Sequence, residues 1–302
     1  MLGTALLVVA VTMGCIGVAG AEEILGCPVG IDEGAIWPRA GYKYVKHEKR
    51  YNPQTGHMEA LPEGWNSKKL SVPLRLGYGI THRWQLAVAT TRNEVKKHTR
   101  GRQGWVDVDA SGYDGWWLVA SYKSHESYEP WQGWQESHIN WGVAYKFGCD
   151  GADAKNGIGN TADAIRVGFL THVDADDENS LCQHLTYTRY SRADTVEGWK
   201  KSGWKFGDRI GYKYYWERSL SDTFAMNFGP IGWFQLQQDK SPAGQPAGYK
   251  PHQHNLHLAA VWHPDGVEIE HHKIAPGVNY PYGVKTSFAP DYALSATAMW
   301  TW

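Results

Sequence analysis

The sequence predicts an all-β chain, an antiparallel up-and-down transmembrane β-barrel of about twelve strands (range about 10–14) with both termini in the periplasm. Three observations predict it. Apolar and polar residues alternate with period two from about Ile36 to the C-terminal Trp302, in segments longer than most soluble strands. The links between those segments alternate between short and long. An apolar, export-like N-terminus comes first, and no later stretch approaches the roughly 18 consecutive apolar residues of a membrane helix.

Composition is compatible with this class without proving it. The 302 residues carry a formal net charge of −1, a hydrophobic fraction of 42% and a mean hydropathy of −0.50. Such values suit a soluble protein, and equally a barrel, in which only every second strand residue must be apolar. The near-neutral balance gives no reason to expect nucleic acid. The 16 Trp and 17 Tyr against 7 Phe favour a surface that is apolar on one side and wet on the other. A Trp-rich soluble sandwich or carbohydrate binder would show the same rings, so composition leaves both open.

The N-terminus tips the balance. Leu2 to Val18 is uncharged and mostly apolar, and Ala19-Gly20-Ala21 forms a small-x-small cleavage pattern before Glu22-Glu23. Residues 1–21 are therefore read as a signal peptide, 22–35 as a periplasmic N-terminal segment and 36–302 as the barrel. A basic n-region is missing, so an uncleaved anchor and lipidation at Cys15 remain alternatives. An exported chain without a membrane helix can span a membrane only as a closed barrel. Three further cysteines, Cys27, Cys149 and Cys182, cannot all pair with one another. There is no CxxC, no CxxCH and no zinc-ligand spacing, and no cofactor is expected.

The clearest strand runs from Lys68 to Ile80. Leu70, Val72, Leu74, Leu76, Tyr78 and Ile80 share one face, while Lys69, Ser71, Arg75 and Gly77 share the other. Past the Thr81-His82 turn the alternation resumes with Trp84, Leu86 and Val88 opposite Gln85, Ala87 and Ala89. It recurs in Ile139–Phe147, Ile165–Phe169, Trp204–Trp216, Phe224–Leu236, Leu256–Trp262 and Tyr292–Trp302, with Asp208 the one charged residue on an apolar face. The twelve expected strands are 36–51, 67–80, 83–94, 112–125, 135–148, 162–174, 183–191, 203–219, 222–238, 250–263, 266–281 and 290–302. Of these, 183–191 and 266–281 are weakly patterned. A soluble barrel alternates too, but soluble strands run about 5–6 residues, whereas a tilted membrane strand needs about 9–11. Tight or moderate links at Thr81-His82, Ser219–Asp222 and His263–Gly266 follow even-numbered strands; the longer 52–66, 95–111, 149–161, 192–202 and 239–249 follow odd ones. Short periplasmic turns and long external loops have this parity, although 126–134 and 175–182 are long for their class.

The stretch Leu70-Ser71-Val72-Pro73-Leu74-Arg75-Leu76-Gly77-Tyr78-Gly79-Ile80-Thr81-His82-Arg83-Trp84 resembles a hairpin of the outer-membrane transporter-like proteins associated with the meta-pathway of phenol degradation. That family shows a similar LSVPLxLxYGLTDRxxL pattern, and Ile80-Thr81-His82-Arg83 stands where Leu-Thr-Asp-Arg is usual. Tyr215-Trp216-Glu217-Arg218-Ser219-Leu220-Ser221-Asp222-Thr223-Phe224 is similar to its second tight hairpin. The detailed match covers about 30 residues. The resemblance implies a Gram-negative outer-membrane barrel and a transport role, and it brings no catalytic residues. An aromatic C-terminal strand ending at Trp302 fits recognition by the outer-membrane insertion machinery.

Chemistry is sparse. Ser124-His125 and Ser137-His138 are neighbours whose side chains point to opposite strand faces, so neither pair forms a dyad locally. His252 and His254 lie on one face at i, i+2 spacing, half of a metal site or a polar loop boundary. Asp174, Asp176, Asp177 and Glu178 read as a solvated turn without a calcium-loop pattern. The polar face supplies the site candidates. Lys69, Arg75, His138, Lys146 and Arg166 come from the first half, and Lys205, Arg209, Lys213 and Glu217 from the second. Lining one lumen, this mostly cationic set would favour anionic organic solutes; paired with Tyr215 and Glu217, it would plug a narrow barrel. The expected function is a channel or transporter for small aromatic or anionic solutes, in contact with the lipid bilayer. A lipid-face hydrolase and a barrel sheathing an electron-transfer partner are the alternatives. Cys27 and Cys182 fall at the same end, opposite Cys149, so any disulfide should join those two.

Overall fold

The computed structural model describes residues 32–52, 54–101, 104–127, 136–264, 273–285 and 288–299. Among them, twelve strands form one closed antiparallel sheet: β1 (Ile36–Asn52), β2 (Asn66–Gly79), β3 (Trp84–Gly101), β4 (Gly104–Ser127), β5 (Glu136–Phe147) and β6 (Ala164–Asp176). They continue as β7 (Asn179–Tyr190), β8 (Arg209–Ser221), β9 (Phe224–Gln235), β10 (His252–Trp262), β11 (Lys273–Lys285) and β12 (Phe288–Met299). Each strand pairs with the next, and β12 closes on β1 from Arg39↔Met299 to Arg50↔Phe288. Closure leaves no edge strand, the condition for backbone to cross hydrocarbon. No described helix is long and apolar enough to cross a membrane.

The direction of the faces separates a membrane barrel from a soluble one. Leu76, Trp141, Ile165 and Leu256 are each about half exposed, while Arg75, Asn140, His172 and Asn227 on alternate positions are buried. The apolar face therefore looks outward on strand after strand, and water is the wrong solvent for it. Connections 53–65, 148–163, 191–208 and 236–251 gather at one end, here the loop end; 80–83, 177–178 and 222–223 lie at the turn end.

Several boundaries differ from expectation, each for a physical reason. Residues 95–111, expected as a loop, continue the β3–β4 hairpin to Gly101↔Gly104. Above the apolar belt a strand needs no outward apolar face, and Lys96–Asp109 (3.0 Å) and the stacked His98 and Trp105 hold it instead. The link after β6 is a tight turn, because β7 starts at Asn179 rather than at 183. The strand expected from 203 starts at Arg209. Lys205 is accordingly not part of the wall; it lies in the 191–208 loop, where its backbone exchanges hydrogen bonds with Lys240. Asp208 also precedes the strand and accepts a 2.6 Å hydrogen bond from the Tyr187 hydroxyl, which removes the exception it posed to the alternation. The signal-peptide assignment, Cys15, Cys27, the 128–135 link and Trp302 lie outside the described residues. Cys149 and Cys182 are free and buried.

Candidate solute pathway in the lumen

Inward-facing side chains enclose a cavity of about 290 Å³ in the half of the lumen nearer the loops. Its cations come from four strands: Lys43 on β1, Lys146 on β5, Arg166 on β6, and Arg209 and Lys213 on β8. Among the described residues one carboxylate, Asp114 of β4, lines it, and it sits 2.7 Å from Lys146 Nζ. Aromatic rings hold several of the cations. The Arg166 guanidinium lies 4.7 Å from the Trp117 ring and donates from Nε to Thr188 Oγ1 at 2.8 Å. Arg209 lies 5.3 Å from Tyr190 on β7 and 4.6 Å from Trp233 on β9. Lys213 lies 4.4 Å from Tyr215. The far wall is neutral and polar: Asn279 Oδ1 accepts from His257 Nδ1 at 3.0 Å, and Asn279 Nδ2 donates to Ser295 Oγ at 3.1 Å.

A β-bulge puts Asp114 and Trp117 in this cavity together. The β3–β4 register shifts between Thr90 and Arg92, so that β4 gains a residue at Asp114-Gly115. Gly115 takes φ +70°, and Thr90 Oγ1 donates to its carbonyl at 2.6 Å. The extra residue switches the inward face from even to odd positions, and both side chains point inward.

Two loops form the roof. In 148–163, helix α1 (Gly151–Lys155) is capped by Asp150, whose Oδ1 accepts from Asp153 N at 2.8 Å. The loop is pinned to the inner wall where Asn93 Nδ2 donates to Ile158 O at 2.8 Å and Tyr113 N donates to Asp153 Oδ2 at 3.1 Å. Loop 191–208 joins it: Asp194 N donates to Thr161 Oγ1 at 2.9 Å, and Trp199 and Phe206 pack on a buried cluster that includes Trp117, Leu170 and Tyr190. Burial in this roof pushes the Cys149 thiol up to about 12. It also raises the Asp153 carboxyl and lowers the Lys205 ammonium.

Toward the turn end the lumen is filled by a polar layer. His138, Asn140 and His263 have no exposed surface, and His172, His184 and Glu217 are nearly as buried. Close polar contacts link its members. His172 stands 3.0 Å from both Cys182 Sγ and Asp174 Oδ1, and His263 lies 3.5 Å from Glu217. Arg75 stacks 4.9 Å from the buried Trp37.

Of the candidates taken from sequence, Lys146, Arg166, Arg209 and Lys213 line the cavity. Lys69 is half-buried on β2 beside Val45 of β1. Arg75, His138 and Glu217 belong to the filled layer. Sequence reasoning missed Lys43, Asp114, Trp117, Tyr190 and Trp233. Trp116-Trp117 carried a usable signal, since two adjacent strand residues cannot both face lipid. His252 and His254 stack at 5.3 Å, with His254 Nδ1 2.7 Å from the Tyr212 hydroxyl, so the rings do not converge on a metal. No group of three potential metal-ligating residues occurs among the described residues. A Ser–His contact does exist across strands, His125 Nε2 to Ser137 Oγ at 3.0 Å, which inspection of sequence neighbours overlooked. Ser137 is 3% exposed, so an acyl chain in the bilayer has no approach to it. The acidic run divides between the end of β6 and the turn: Asp174 and Asp176 are strand residues, Asp177 and Glu178 form the turn, and Asp176 Oδ1 accepts from Glu178 N at 2.9 Å.

No family model matches the sequence, and no curated protein is similar to it at a significant level. Solved structures do share its fold. An outer membrane channel from Pseudomonas putida F1 superposes with a TM-score of 0.71 at 13% identity, covering 92% of this chain and 98% of that one. The transport unit of the autotransporter AIDA-I from Escherichia coli gives 0.47 at 11% identity, covering 88% and 89%. A Pseudomonas aeruginosa FadL homologue gives 0.40 at 10% identity, covering 94% of each chain. The fold is that of a Gram-negative outer-membrane β-barrel, and the outward apolar belt is the surface that meets the bilayer.

Proposed function

We propose that this chain is an outer-membrane channel that passes small aromatic or anionic organic solutes through its lumen. The observation that carries the reading is the cavity itself, where five cationic side chains and one carboxylate stand among aromatic rings. A lumen of that charge in a low-dielectric wall raises the local concentration of anions and repels cations. The likeness in fold to a channel from Pseudomonas putida and the hairpin similar to meta-pathway transporter-like proteins support the same reading. In the orientation proposed here the loop end faces outward and both termini lie in the periplasm, as long external loops and short periplasmic turns require. Entry is then from the roof, and the polar layer at the turn end is the part that must rearrange for passage.

The test is planar-bilayer recording of the purified protein under a salt gradient. The reversal potential is expected on the anion-selective side, and small organic anions should be permeant. Strict cation selectivity would defeat the proposal.

A further inference from the structure

We infer that the cavity is a binding site for one small aromatic monocarboxylate, with Arg209 as the residue that recognises the carboxylate. This rests on the lumen reading above and adds a ligand class to it. Four features of the cavity converge on that class.

The first is charge. Among the described residues, five cations and one carboxylate line the cavity, a formal excess of four positive charges, and a bound anion relieves part of that repulsion. The second is the setting of Arg209. Rings from both neighbouring strands, Tyr190 and Trp233, stand against its guanidinium. Rings stacked on a guanidinium leave its in-plane N–H groups for a partner, and those form a fork that matches the two oxygens of a carboxylate. A spherical anion gains little from such a fork.

The third is spacing. In the ladder Arg166 lies opposite Thr188, and Thr188 opposite Arg209. The two guanidiniums thus come from strands one apart, roughly 10 Å between backbones, with a threonine hydroxyl between them. Arg166 is already engaged by Thr188 and Trp117, so Arg209 is the better placed of the two to take the ligand head. The fourth is the body of the site. Trp117, Trp233 and Ile231 supply apolar lining next to the cations. A cavity of about 290 Å³ is at the small end of ligand pockets, which run from about 300 Å³. That is room for one ring and its carboxylate, not for a chain of rings.

Purified full-length protein in detergent is titrated calorimetrically with benzoate, acetate and benzyl alcohol, and each compound is also added to single channels in a bilayer. Benzoate should bind saturably, about tenfold or more tighter than either of the others, the equivalent of one charge-assisted hydrogen bond or one buried ring. Arg209→Lys keeps the charge and loses the fork, and should weaken benzoate by about tenfold. Trp233→Leu should narrow the gap between benzoate and acetate. Equal affinity for benzoate and benzyl alcohol overturns the inference, as does an unchanged benzoate affinity in folded Arg209→Lys. If that variant does not fold, the three-compound comparison on the unsubstituted protein still decides. Anion conduction without benzoate preference sinks this inference and leaves the channel; saturable benzoate binding in a protein that conducts nothing does the reverse.

Discussion

Trp116 and Trp117 are adjacent in the chain, yet one is 49% exposed on the outer wall and the other is 7% exposed beneath Arg166. Residue type therefore does not assign a medium in this barrel; strand phase does. The same holds for titratable groups in the roof. Cys149 is buried among acidic neighbours, and desolvation first, then the charge of Asp114, pushes its thiol up to about 12. A thiol whose folded pKa is raised binds its proton more tightly folded than unfolded. Its contribution to stability is thus complete below the unfolded value and is lost as pH rises from about 9 toward about 12. Folded protein at neutral pH should leave Cys149 unreactive to maleimide, while urea-unfolded protein labels fully. Cys149→Ser should flatten the alkaline loss of stability seen by tryptophan fluorescence. Rapid labelling of Cys149 in the folded state at neutral pH would contradict this account.

At the scale of elements, the bulge in β4 shapes the site. A Cβ on Gly115 would lie 2.1 Å from the Phe147 carbonyl oxygen, at a φ of +70° that L side chains rarely adopt. Gly56 has a similar φ of +73° with nothing within 4 Å. Gly56→Ala should therefore cost only the left-handed penalty, about 1 kcal/mol, whereas Gly115→Ala adds a backbone collision and should cost roughly 2–3 kcal/mol or more. Urea titration in lipid vesicles measures both; equal losses would mean that the bulge relaxes freely. The bulge also marks how far sequence could be read. Twelve strands and the inward set Lys146, Arg166, Arg209 and Lys213 were legible because period two assigns a face wherever alternation is unbroken. Asp114 was not, because one inserted residue reverses the phase without altering composition. The 95–111 ribbon was not, because above the bilayer a strand needs no apolar face, and its Lys, Arg and Asp residues look like loop. Lys205 was misplaced for the opposite reason, since Trp204 and Phe206 alternate with it but belong to the roof loop, where Phe206 packs on the buried cluster and the Trp204 ring lies under Lys201.

At the scale of the whole molecule, net charge hides the arrangement that matters. The chain is nearly neutral at −1, yet acids and bases are sorted in space. Asp109 pairs with Lys96 and Glu178 with Arg218 on an exposed ribbon and turn, while among the described residues Asp114 is the carboxylate that lines the cavity with its cations. Selectivity by such a lumen acts partly through the field at its mouth, and that field is screened by salt. The Debye length falls from about 10 Å at 0.1 M to about 3 Å at 1 M. The anion-to-cation permeability ratio should therefore fall markedly between those two concentrations, and Lys213→Gln should lower it further at the dilute end than at the concentrated one. Reversal potentials at a fixed salt ratio, recorded at both ends of the range, measure this. A ratio indifferent to ionic strength would mean that discrimination happens entirely inside the roofed cavity, where the Arg209 fork and the rings beside it, rather than the long-range field, choose the solute.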